Sequence, residues 1–143
     1  MAIRRAAHAV YDTRYQLVWV PKYRKWIVRG DVGEFVEQCF QEIARSHEFE
    51  TEEMRIAEDH VRMFLEFPPK YSIFNVVKRL KGASARAIFQ RYPEVKRELW
   101  GGEFWEDGYF ARTVGDKVSK DMIKRYIKYH KDHETTPQQL DLF

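Results

Sequence analysis

The chain has 143 residues, of which 44% are hydrophobic, 15% aromatic and 33% charged, with a formal net charge of +3. That composition supports one domain with a real core, and its mild positive charge permits nucleic-acid binding without requiring it. It excludes an internal disulfide, since Cys39 is the only cysteine, and it contains no apolar run long enough to span a bilayer.

The N-terminal MAIRRAAHAVYDTR lacks the apolar core of a signal peptide. A reducing cytoplasm is the expected location, with Cys39 as a small buried hydrophobe. A first strand is predicted over Tyr11–Val20, where Tyr15, Leu17 and Trp19 share one side and Val18 and Val20 the other, a pattern that suits a strand largely covered on both faces. Pro21 ends it, and KYRK follows as a basic loop. Asp31 opens a helix with Glu34 three residues on, a capping-box arrangement. Phe35, Cys39, Phe40 and Ile43 make its apolar stripe as far as His47. A second strand is predicted at Thr51–Ala57, a turn at Glu58-Asp59, and a third strand at His60–Phe67, stopped by Pro68-Pro69.

Ser72 caps a second helix running to Arg91, buried through Val76, Val77, Leu80, Ala87 and Ile88. Tyr92-Pro93 breaks it. A fourth strand is predicted over Glu103–Val114, and Ser119 caps a last helix from Lys120 to His133. Residues 1–134 are therefore expected to form one domain, with 135–143 as a polar tail. The order β-α-β-β-α-β plus a helix is the α+β, ferredoxin-like split βαβ pattern, an antiparallel sheet with helices on one face. The other face is expected to be free for a partner.

Two stretches carry chemistry. In EDHVRMFLEF, residues 58–67, the alternation places Val61, Met63, Leu65 and Phe67 on one side of the strand. His60, Arg62, Phe64 and Glu66 take the other, open side. In MIKRYIKYHKDH, Tyr126 and His130 lie one turn apart on one helix face. Lys120, Lys124, Arg125, Lys128 and Lys131 surround them, while Ile123 and Ile127 form a stripe that could anchor the helix. A phenol titrates near 10 and needs positive charge, a metal or a base to attack at neutral pH. Phosphate is the electrophile that suits so basic a setting. Tyr129 is a spare nucleophile on a different helix face.

The ordered stretches YQLVWVPKYRK, DHVRMFLEFPPKYS, VVKRLKGASARAIF, LWGGEFWEDGYFARTVG and KRYIKYH resemble the single-tyrosine HUH transposases of insertion-sequence-200-like elements. The resemblance covers nearly the whole chain. It implies a ferredoxin-like domain that works as a homodimer on single-stranded DNA with hairpins. One strand is cut by tyrosine, held as a 5′-phosphotyrosine and rejoined elsewhere. It implies a Mg²⁺ or Mn²⁺ ion held by paired histidines and a glutamine, and composite active sites in which the tyrosine helix serves the partner subunit. Carried over by position, Tyr126 is the nucleophile and His60 the first metal ligand.

The chain departs from that pattern at two places. Arg62 stands where the second histidine belongs, and His130 stands where the glutamine belongs. Arginine stays protonated and offers no lone pair to a metal. Three readings follow. The metal survives on His60, His130 and either Asp59 or Glu66; or the Arg62 guanidinium clamps the phosphate in its place; or the protein binds DNA hairpins without cutting them. DNA contacts are expected from Lys22, Arg24 and Lys25 after strand one, and from Lys78, Arg79, Lys81 and Arg86 on the second helix. An RNA-binding module on the same fold is a remote alternative.

Overall fold

The computed structural model describes residues 4–6, 9–11, 13–23, 30–99, 102–113 and 120–134. Two short strands, β1 (Arg4–Ala6) and β2 (Ala9–Tyr11), pair antiparallel as a separate hairpin. The main sheet contains β3 (Arg14–Trp19), β4 (Glu50–Ile56), β5 (Val61–Glu66) and β6 (Phe110–Thr113) in the order β4-β5-β3-β6, and each neighbouring pair is antiparallel. Helices α1 (Gly30–Ser46) and α2 (Ile73–Arg91) supply the two crossovers. A short α3 (Pro93–Glu98) follows α2, and α4 (Lys120–Glu134) follows β6. This is the expected ferredoxin-like α+β arrangement.

The first strand is shorter than its alternation predicts. Tyr11 belongs to the separate hairpin, and the sheet strand starts at Arg14. Alternation alone cannot separate two strands that follow one another with no apolar break. Helix α1 starts at Gly30, so Asp31 lies in its first turn, where its charge favours the N-terminal dipole. The Ser72 cap is as expected: its Oγ accepts from the Asn75 amide at 3.0 Å. Pro93 ends α2 but also starts α3, because its locked φ and missing N–H suit a first helical position.

The fourth strand is the largest departure. Among the described residues only Phe110–Thr113 pairs as a strand, and residues 102–109 form a folded segment joined to the sheet by an isolated bridge between Pro21 and Trp105. Gly108 adopts φ +85°, a left-handed conformation that interrupts extension. The Lys81 ammonium donates to the Glu106 carbonyl at 2.7 Å and the Gly108 carbonyl at 2.8 Å, which draws both away from a ladder. Burial lowers the Lys81 pKa, against the opposing pull of Asp107, Glu103 and Glu106.

The main core lies between α1, α2 and one sheet face. Leu17 and Trp19 of β3 and Val61, Met63 and Leu65 of β5 meet Val36 and Phe40 of α1 and Val76, Leu80 and Ile88 of α2. Cys39 is buried as expected, and its thiol is pushed up to about 11 by burial, then by Glu42. The segment 102–109 joins this core through Phe104 and Trp105, with Trp105 edge-on to Trp19. The buried Trp105 Nε1 donates to Ser84 Oγ at 2.9 Å. Ser84→Ala would leave that indole N–H without its acceptor. We expect a loss of about 1–3 kcal/mol in urea unfolding at unchanged m-value; a loss under about 0.5 kcal/mol would show that the bond does not hold the segment.

Candidate active site

Register divides the side chains of the sheet between its faces. Leu17 opposes Met63, and Trp19 opposes Val61, so these turn to the main core. Val18 opposes Arg62 on one side and Phe110 on the other, which puts Val18, Arg62 and Phe110 together on the second face. Arg55 opposes Arg62 across the β4–β5 pair and shares that face.

The second face is not free, contrary to the sequence-based expectation. Helix α4 lies on it, with Ile123, Tyr126 and Ile127 packed against Val18 and Phe110. The expected Ile123–Ile127 stripe is therefore the anchor, and its neighbour Tyr126 is drawn in with it. The Tyr126 ring is 6.4 Å from that of Phe110, tilted by 58°, and its hydroxyl oxygen is buried. Burial raises the phenol pKa well above its ordinary value of 10, and the Glu106 carboxylate raises it further. Tyr129, on another side of α4, is exposed.

His60 sits immediately before β5. Its Nδ1–H donates to Asp59 Oδ1 at 2.9 Å, which leaves Nε2 as the acceptor nitrogen. Arg62 is half-buried, and its guanidinium lies against the Glu53 carboxylate. Thus Asp59 orients an imidazole, and Glu53 neutralises the arginine of the motif. A buried Arg14 lies further along the same sheet face, between Glu52 at 3.4 Å and Glu66 at 3.6 Å.

The paired-histidine ion site does not fit these donors. Among the described residues, no group of three His, Cys, Asp or Glu side chains could hold a metal ion. Arg62 cannot ligate, and the His130 side chain lies outside the described residues. Local sequence sets Asp59 beside His60, but it gives no sign of Glu53 on Arg62 or of Arg55 opposite it. Both depend on strand register and on the bulge between Thr51 and Glu53.

The expected basic contacts fall into different settings. Arg24, Lys25 and the 135–143 tail lie outside the described residues. Lys22 is half-buried where its amide donates to the Phe104 carbonyl at 2.8 Å. Lys78 and Arg86 are exposed on α2, with the Lys78 ammonium 5.8 Å from the Phe74 ring centroid. Arg79 donates to His47 Nε2 at 3.2 Å and lies over Tyr71, while His47 Nδ1–H donates to the Ile43 carbonyl at 2.9 Å. Lys81 differs from the others, because its ammonium is committed to the 102–109 segment. Phe74 is 58% exposed and, with Val77, Phe89, Trp105 and Tyr109, lines an apolar groove of about 540 Å³ between α2 and that segment.

The sequence profile of the IS200-like transposases matches residues 9–130. The chain is 37% identical to the ISDra2 transposase TnpA of Deinococcus radiodurans over 87% of this chain and 89% of that protein. It is 29% identical to the transposase for insertion sequence element IS200 of Salmonella typhimurium, over 95% of this chain and 88% of that one. A crystal structure of a candidate transposase from Deinococcus radiodurans superposes with a TM-score of 0.73 at 28% identity, covering 91% of this chain and 97% of the other. A REP-associated tyrosine transposase bound to a REP hairpin shares the fold alone, with a TM-score of 0.53 at 10% identity and coverage of 90% and 70%. Matched over most of its length by the profile and by these relatives, the chain belongs to the family of IS200-like transposases.

Proposed function

We propose that this chain cuts and rejoins single-stranded DNA at the hairpin-bearing ends of an insertion element, with Tyr126 as the nucleophile. The observation that carries this reading is the placement of the Tyr126 ring, through α4, on the sheet face that holds the motif arginine. The phenol oxygen attacks phosphorus, the P–O3′ bond breaks, and the 3′-oxygen leaves with a proton. The strand is then held as a 5′-phosphotyrosine. Attack by a 3′-hydroxyl on that ester reverses the step, so rejoining consumes no nucleotide cofactor and changes no oxidation state.

This chain's own residues divide the work. The Arg62 guanidinium supplies positive charge to the scissile phosphate once Glu53 is displaced. His60, held by Asp59, offers Nε2 to take the phenol proton. Lys22, Arg24, Lys25, Lys78, Arg79 and Arg86 bind the DNA backbone. The protein acts in the cytoplasm as a homodimer with composite sites. Among the described residues no helix is long and apolar enough to cross a membrane.

With its hydroxyl buried, Tyr126 is at rest, and attack requires α4 to shift. Among the described residues, Val18 and Ile123 are the buried members of the cluster that holds the helix. At about 1.5–3 kcal/mol per buried aliphatic side chain, bound DNA can offset that shift. A second reading has a specific observation in its favour. Arg62 in place of a ligand, together with a phenol held neutral, suits a protein that grips DNA hairpins without cutting them.

One measurement decides between these, and a second tests the burial of the phenol. A hairpin-bearing single strand should give a covalent adduct with the protein, visible as a denaturation-resistant band and lost in Tyr126→Phe. No adduct with EDTA, Mg²⁺ or Mn²⁺, alongside salt-sensitive binding that is unchanged in Tyr126→Phe, selects the non-cutting reading. The phenol's titration provides the second measurement. Its folded pKa lies above the unfolded value of 10, so its stabilising effect is complete below pH 10 and is lost as pH rises beyond that. Alkaline unfolding of the wild type should therefore outpace that of Tyr126→Phe, and Glu106→Gln should lower the phenol pKa in difference absorbance titrations against Tyr126→Phe. Identical alkaline profiles for wild type and Tyr126→Phe would mean that the phenol is solvated.

A further inference from the structure

The second face of the sheet carries several arginines, and their neutralisation is uneven. Arg14 is held by Glu52 and Glu66. Arg62 is held by Glu53. Arg55 stands directly opposite Arg62 in register and is exposed, and among the described residues no carboxylate pairs with it. Cβ atoms of directly opposed residues on antiparallel strands lie about 4.5–5.5 Å apart, and like charges there repel. A sheet that sets two arginines directly opposite one another and gives a carboxylate to only one of them is short of one anion. That carboxylate is easily displaced, since the Glu53 side chain is 55% exposed.

We infer that Arg55 and Arg62 together form a seat for one phosphate of the DNA strand, with Arg62 supplying charge where the paired-histidine motif would supply a metal ligand. The seat rests on the proposed reading of the site and deepens it by adding Arg55, which no local motif marks. Each guanidinium presents a planar fork of donors to phosphate oxygens. An arriving phosphate takes the place of the Glu53 carboxylate and removes the Arg55–Arg62 repulsion at the same time. Val18 lies beside Arg62 on this face, and α4 rests on Val18. A phosphate seated there is on the same face as the Tyr126 ring.

The test is binding of a fluorescent hairpin-bearing single strand to the full chain, by anisotropy across a salt series, in EDTA and again with Mn²⁺. In EDTA, Arg55→Ala and Arg62→Ala should each weaken binding about tenfold and flatten the log–log salt slope by about 0.7–0.9, one phosphate contact apiece. Arg55→Lys should recover the slope but not the full affinity. Glu53→Gln should tighten binding in the wild type and have no effect on top of Arg62→Ala. Equal thermal midpoints confirm that these surface variants are folded. An unchanged slope in Arg55→Ala overturns the seat and leaves the nucleophile reading intact. Binding that appears only with Mn²⁺ also overturns it. If no strand binds under either condition, both the seat and the proposed function fail.

Discussion

Val18 is the residue on which the two halves of this structure meet. Strand β3 is covered on both faces: Leu17 and Trp19 enter the main core, and Val18, between them, turns the other way. Among the described residues Ile123 is the other buried member of the second cluster, and Phe110, Tyr126 and Ile127 pack around the pair. A helix carrying five basic residues between Lys120 and Lys131 would otherwise remain in water. Its placement over the motif strand follows from this apolar cluster and from the register that puts Arg62 next to Val18. A small satellite cluster holds an element firmly enough to place it and loosely enough to let it move.

Electrostatics on the second face follow from position along the strands. The buried Arg14 could not remain charged without partners, and it has two carboxylates. Closer to the motif the sheet becomes solvated: one exposed carboxylate, Glu53, holds Arg62, and among the described residues none pairs with Arg55 opposite it. The same logic separates Lys81 from its neighbours on α2. Its long stem reaches under the 102–109 segment, so its ammonium binds carbonyls of the protein, whereas Lys78 and Arg86 remain at the surface.

Local signals carried much of this architecture. Strict alternation in VRMFLE marks β5 and correctly assigns Val61, Met63 and Leu65 to the core. Ser72 before an apolar stripe marks the start of α2, and Ile123 and Ile127 mark the buried side of α4. The features that were missed depend on contacts distant in sequence. Nothing near Glu103–Tyr109 announces that a lysine more than twenty residues earlier will hold that segment out of the sheet. The pairing of Arg55 with Arg62 and the capture of Arg62 by Glu53 depend on the register of β4, which slips at a bulge. Pro93 could have been read as a helix start, because proline suits that position as well as it ends a preceding helix. The expectation of an open sheet face failed for a simpler reason. An apolar residue between two core positions on a central strand calls for a cover, and α4 was the element at hand.

The account depends on α4 resting on Val18 at the motif face. Val18→Cys with Ile123→Cys, in a Cys39→Ser background, tests that contact directly through oxidation and mass analysis of the cross-linked peptides. The account predicts a disulfide closing between positions 18 and 123 within one polypeptide, a protein inactive toward single strands while locked, and recovery on reduction. Failure of these two positions to cross-link in folded protein, or full activity in the locked form, would contradict it.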